Sequence, residues 1–293
     1  MYQEHKPFDV SPYDHPDIYP GPRPSSSFLF WKGKAHRIEA EKGMPVEQLL
    51  IHFTNVDHVL GSLAFQSTHV KKVEEFFKEE GRFDSKVPVV AYGSNVCIAQ
   101  LQYKFRLRPE EDDFMLCLKA TVTDSDIVYG PFLAPYGSLP AVIAPVEGAV
   151  SEVWLTFMDK KQLELINSTE KGYELRVHEG KKVRLDTGEV FGNVYAYYEP
   201  RALLWNGEMR RFKDISGQSP LQAVWQSEML NELKLAVKHE GTREEFIHLL
   251  RWDRSYRDLV EDFLKVECTY TFDHPDWKAA ETILSIGEMK RSF

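Results

Sequence analysis

A short apolar run, Val87–Ala91, leads into Tyr92-Gly93-Ser94-Asn95. A strand that opens into Gly-Ser-Asn at a helix start leaves backbone N–H groups without intrahelical partners. Such groups can face a carboxylate or an oxyanion. The signal is weak by itself, because Tyr136-Gly137-Ser138 repeats the triplet and most such triplets are only turns. Cys97 lies two residues beyond the loop. As a nucleophile it would carry acyl transfer, but no histidine stands near it in sequence, and buried structural thiols are commoner. His52 and His58 are six apart with Asp57 between them, and no His-x-x-x-His or Cys-x-x-Cys pair exists. The histidines therefore read as structural or surface residues, and no metal or cofactor is expected. Arg210 and Arg211 follow a hairpin signal, Trp205-Asn206-Gly207-Glu208. They could grip a carboxylate, but a solvated hairpin rim is the commoner role for such a pair.

The elements that must position these groups are short and mixed. Residues 1–27 carry repeated prolines and read as an extended arm, which Tyr2, Phe8, Tyr13 and Tyr19 can pin to a surface. A strand over 28–31 turns back through Lys32-Gly33-Lys34. Pro45 predicts a short helix with Leu49, Leu50 and Phe53, and a second helix is expected over 68–80 with Val70, Val73, Phe76 and Phe77 on one face. Its Glu74 and Lys78 are spaced as an ion pair, and Gly81 ends it. Apolar runs at 87–91, 114–118 (after Asp112 and Asp113), 141–144, 153–157, 175–177, 182–184 and 190–198 predict separate short strands. One helix interrupts them over 160–167, capped by Asp159 and Gln162. Beyond Ser219-Pro220-x-Gln222, an N-cap signal, Leu221, Val224, Trp225, Met229, Leu233, Ala236 and Val237 keep helical spacing. Thr242 with Glu245 and Ser255 with Asp258 cap two further helices, and a weaker fourth follows Asp276-Trp277.

Order and spacing add what single motifs lack. The loop 91–95 is followed by Leu139-Pro140 leading to Pro145, by Ser151-Glu152-Val153-Trp154, by Leu165 to Glu170, and by Gly172-Tyr173. Over 87–200 this succession resembles the γ-glutamylcyclotransferase family, which includes the AIG2-like proteins. The resemblance implies an α+β chain: a γ-glutamylcyclotransferase-like mixed β-barrel with a C-terminal helical extension. It implies intramolecular aminolysis of a small γ-glutamyl compound to 5-oxoproline, without cofactor. Glu170 falls on the family's essential glutamate and would be the base. Tyr92, Gly93, Ser94, Asn95, Tyr173 and Tyr195 would bind substrate. Two positions depart from the pattern: Lys171 stands where the family often has glycine, and 218–225 contains Trp225 but no tyrosine.

Three regions follow from this: an arm and small α/β extension over 1–86, the γ-glutamylcyclotransferase-like domain over 87–200, and a linker hairpin with a helical module over 201–293. A net charge of −9, without a basic stripe, argues against nucleic acid as partner. No apolar stretch reaches the roughly 18 residues of a membrane span. Three widely spaced cysteines among 293 residues form no disulfide framework, so a soluble cytoplasmic protein is expected. The aromatic strand near 195–198 or the amphipathic tail would serve if the chain forms a homo-oligomer. A ligand-binding module without turnover is the alternative reading.

Overall fold

Phe28, Leu29 and Phe30 are completely buried, and the strand that holds them starts the sheet. The computed structural model describes residues 9–54, 67–81, 83–108 and 114–291. Tyr2, Phe8, Asp57, His58, Asp112 and Asp113 lie outside the described residues. The first half of the chain contributes β1 (Phe28–Trp31), β2 (Lys34–Glu39), β3 (Leu50–Phe53), β4 (His69–Lys72), α1 (Val73–Glu80), β5 (Val87–Ala91), α2 (Ile98–Arg106) and β6 (Phe114–Tyr129). Next come β7 (Ala141–Met158), α3 (Lys160–Thr169), β8 (Glu174–His178), β9 (Val183–Leu185), β10 (Val190–Phe191) and β11 (Val194–Tyr198). The remainder adds β12 (Arg201–Trp205), β13 (Glu208–Phe212), β14 (Gly217–Gln218), β15 (Gln222–Val224), α4 (Gln226–Ala236), α5 (Arg243–Trp252), α6 (Arg254–Glu267), β16 (Thr269–Thr271), β17 (Trp277–Ala279) and α7 (Ile286–Arg291).

The α+β class holds, but the sheet is open, not a closed barrel. Its spine is the antiparallel pair β6–β7, in register from Leu116↔Phe157 to Tyr129↔Ala141. These strands are so long that several short strands tile their outer edges. Along β6 lie β1 at 114–117, β9 at 120–122 and β13 at Val128. Along β7 lie β14 at 150–151 and β5 at 154–158. The sheet therefore branches, and no circuit of pairings among the described residues closes as a barrel requires. The two runs expected at 141–144 and 153–157 are one strand. A register shift between Thr123 and Ser125 absorbs the irregularity: Asp124 takes a positive φ of 55°, and its carboxylate accepts the Gly148 N–H at 3.0 Å.

Several local expectations hold. Lys32 and Gly33 make the 28–39 hairpin turn with positive φ, and the Asp159/Gln162 and Thr242/Glu245 boxes cap α3 and α5. Others are corrected. Pro45 precedes only a 3-10 turn, after which Leu50 to Phe53 form strand, and 69–72 pairs with them instead of opening the helix. Sheet pairing outcompetes a short helical pattern here. Ser219-Pro220 caps nothing: strand pairing of β15 with β13 carries the chain on, and α4 begins after Trp225, whose N–H is taken by Glu228. Asp253, not Ser255, caps α6. Trp277 sits in β17, paired with β8, instead of a helix. The main hydrophobic cluster joins Tyr19, Leu118, Ala196, Leu233 and Ile286, so all three expected regions contribute to one core. Among the described residues, no helix is long and apolar enough to cross a membrane.

Candidate active site

β5 runs antiparallel to β7 and parallel to β11, and all five of its residues are buried. The chain leaves this fixed strand at Ala91, and residues 92–96 turn once before α2. Cys97 N–H closes that turn on the Ser94 carbonyl. The N–H groups of Gly93, Ser94 and Asn95 have no acceptor among the described residues, and they line a cleft. Glu170 enters the same cleft as the C-cap of α3, where Gly172 with φ of 93° turns the chain toward β8.

The inner chamber measures about 30 Å³, room for about two waters. It is lined by Tyr92 to Asn95, Glu170 and Tyr173, together with Tyr19, Ala141 and Tyr197. Of the seven expected site residues it gathers six. Tyr195 is not among them. Its hydroxyl accepts the Leu284 N–H at 2.8 Å, away from the cleft. Alternate strand residues share a face, so the tyrosine two positions on, Tyr197, stands where the cleft is. Its hydroxyl donates to Asn167 Oδ1 at 2.6 Å. Tyr173 donates to the Ala141 carbonyl at 2.7 Å, and Tyr92 to the Tyr197 carbonyl.

Two groups at the cleft were not foreseen. Lys104, on α2, donates to both Glu170 Oε1 and Asn95 Oδ1 at 2.6 Å. Its side chain is 7% exposed and that of Glu170 17%. The sequence held a trace of this, since Ile98, Leu101 and Lys104 are spaced on one buried helical face, and a charge in such a stripe needs a partner. Lysine only donates, so the pairing also fixes which end of the Asn95 amide faces it. Glu170 Oε2 is left without a partner among the described residues. The other group, Tyr19, comes from the arm. Its hydroxyl accepts the Ala141 N–H at 3.1 Å, and a Cβ on Gly93 would sit only 2.8 Å from it.

Burial pushes the phenols of Tyr19, Tyr92, Tyr136, Tyr173 and Tyr197 upward, and the Glu170 charge adds to this at each one. All five remain protonated at neutral pH. Glu170 thus shares the cleft with residues 93–95 and with several neutral phenols.

The remaining candidates lie elsewhere. Cys97 is buried beneath the arm. Arg211 is no solvated rim: it is buried and pairs with fully buried Asp126 at 2.9 Å, while Ser151 and the Ile127 N–H also donate to that carboxylate. Trp225 lines a separate groove with Asp17 and Arg243. Lys171 is exposed at the cleft mouth. Among the described residues no cluster of histidine, cysteine and acidic side chains could hold a metal ion.

No family model matches the chain, and no curated protein does. Solved structures similar to part of it include the following two. One, named gamma-glutamyl cyclotransferase, is 16% identical, with a TM-score of 0.30 over 60% of this chain and 99% of that one. The other, an uncharacterised protein from Homo sapiens, is 19% identical with a TM-score of 0.30, over 68% of this chain and 96% of that one. Overlap at this level does not establish an activity.

Proposed function

We propose that this cleft is the active site of a γ-glutamylcyclotransferase-type enzyme with Glu170 as its base. The observation that carries the reading is the free Glu170 Oε2 in one chamber with the unpaired N–H groups of residues 93–95. The reaction suits so sparse a site, because the nucleophile belongs to the substrate. Glu170 takes a proton from the α-ammonium, and the amine nitrogen then attacks the γ-carbonyl carbon. The new C–N bond closes a five-membered lactam. The tetrahedral oxygen draws on the N–H donors. The bond to the leaving amine breaks as that amine receives the proton from Glu170, and the ring nitrogen gives its second proton to the freed Glu170 carboxylate, leaving the neutral lactam N–H. Holding the chain folded supplies much of the acceleration.

A second reading, a binding module without turnover, is favoured by one observation. The inner chamber is small and Lys104 already compensates Glu170. The γ-glutamyl chain must therefore extend outward past Tyr173. Release of 5-oxoproline from a panel of γ-glutamyl amino acids, γ-glutamyl amines and glutathione separates the two. Turnover by the native protein and none by a folded Glu170→Gln supports the enzyme. Binding of a γ-glutamyl compound by calorimetry with no release supports the module.

A further inference from the structure

The inner chamber opens into a second one of about 350 Å³, and Tyr19, Ser94, Glu170 and Tyr173 line both. That volume is in the range of small-molecule sites. Its walls are aromatic. Tyr13 from the arm stacks on Tyr103 of α2 with centroids 5.1 Å apart, and tilts against Tyr136 at 5.7 Å. Phe132 packs edge-on against Tyr173 at 5.9 Å. Tyr13, Tyr103 and Leu107 remain 37%, 41% and 51% exposed, so this apolar surface is uncovered. Among the described residues lining the mouth, the Lys171 ammonium is the charge not already paired within the cleft; Lys104 is held by Glu170 and Asn95.

We infer that the outer chamber is the leaving-group subsite, and that it takes the aromatic or large aliphatic side chain of a γ-glutamyl-linked α-amino acid. The inference rests on the cyclotransferase reading for its orientation: a γ-glutamyl group directed at Glu170 can point its leaving portion only outward. The stacked tyrosines offer flat faces to an apolar side chain. Lys171 is placed for the carboxylate of the departing amino acid, and its ammonium, uncompensated within the cleft, disfavours a cationic amine there.

The test compares kcat/KM for γ-glutamyl-phenylalanine and γ-glutamyl-leucine with γ-glutamyl-glycine and a γ-glutamyl diamine. A preference of about tenfold or more for the bulky apolar pair is expected. A ratio below threefold, or preference for the diamine, overturns the subsite. The double variant Y13A/Y103A should bring the phenylalanine-to-glycine ratio to within threefold, and an undiminished ratio overturns the role of the stack. Lys171→Glu should raise KM for γ-glutamyl-phenylalanine several-fold and not for the matching phenethylamide, which lacks the carboxylate. An equal effect on both overturns the role of Lys171. If no compound is turned over, calorimetry on the same compounds decides. Tighter binding of the bulky pair keeps the subsite while the enzyme reading falls, and no discrimination in Kd overturns the subsite too.

Discussion

Lys104 Nζ lies 2.6 Å from Glu170 Oε1, and this contact joins α2 to the end of α3 across the cleft. Both side chains are largely withdrawn from water, so each depends on the other. Lys104→Met should cost about 3 kcal/mol or more of stability in urea unfolding, because it strands a carboxylate. Adding Glu170→Gln should recover most of that loss. A double variant as unstable as the sum of the two single ones would show that the pair is not coupled.

Gly93 and Tyr19 fit only because glycine has no Cβ. Gly93→Ala should destabilise by about 1–3 kcal/mol through overpacking. Tyr19→Phe should cost about 1–3 kcal/mol, because it leaves the Ala141 N–H without its acceptor. It also removes the oxygen that the new methyl would strike. Combining the two should therefore cost clearly less than their sum. Additive losses in thermal unfolding would mean the arm does not seat on the loop.

All three cysteines are buried, and burial pushes the Cys117 and Cys268 thiols up. A thiol-specific chromogenic reagent should titrate none of them rapidly in the native protein and all three after denaturation. Removing residues 1–24 should uncover Cys97, since Gly21 lies against its sulfur and the thiol reaches the Val10 carbonyl. Circular dichroism would confirm that the shortened chain is folded. Rapid labelling of Cys97 in the intact protein, with loss of turnover, would revive a thiol mechanism.

Burial pushes His274 down to about 4, against the opposing pull of Asp276. Its Nδ1 accepts the Asp276 N–H, so its Nε2 bears the proton toward Ser125. The unfolded chain, with a value near 6.5, takes up a proton before the folded one does. Stability therefore falls as pH drops from about 6.5 to about 4, and this histidine adds no further loss below that. Between pH 7 and 4.5 the contribution is roughly 2–3 kcal/mol. His274→Gln should flatten that slope in denaturant melts. An unchanged slope would show that the imidazole does not stay neutral in the fold.

What the sequence made legible was local. The caps at Asp159 and Thr242, the turn at Lys32-Gly33 and the run at 87–91 each rest on residues a few positions apart. Six cleft residues were found because their order along the chain was informative. The misses came from competition at a distance. Leu50 and Phe53 have helical spacing, but β2 and β4 offer partner strands, Glu39 opposite Leu50 and His69 opposite Phe53. Tyr195 and Tyr197 share a strand face, and only the register against β5 and β8 decides which one reaches the cleft. Lys104 and Tyr19 escaped because their partners lie 66 and 122 residues away.

The arm is stitched to the far end of the chain. Arg251 donates to the carbonyls of Tyr13 and Asp14, Arg243 pairs with Asp17, and Arg23 reaches the Asp214 carbonyl. These contacts span between 191 and 238 residues. During translation, Tyr13 and Tyr19 leave the ribosome long before α5 does, at roughly 5–20 residues per second. For that interval the arm has only its nearer contacts, such as Ser11 with Gln100 and Tyr19 with Ala141, to hold it on the cleft. The first part of the cleft to be synthesised is thus the last to receive all of its contacts.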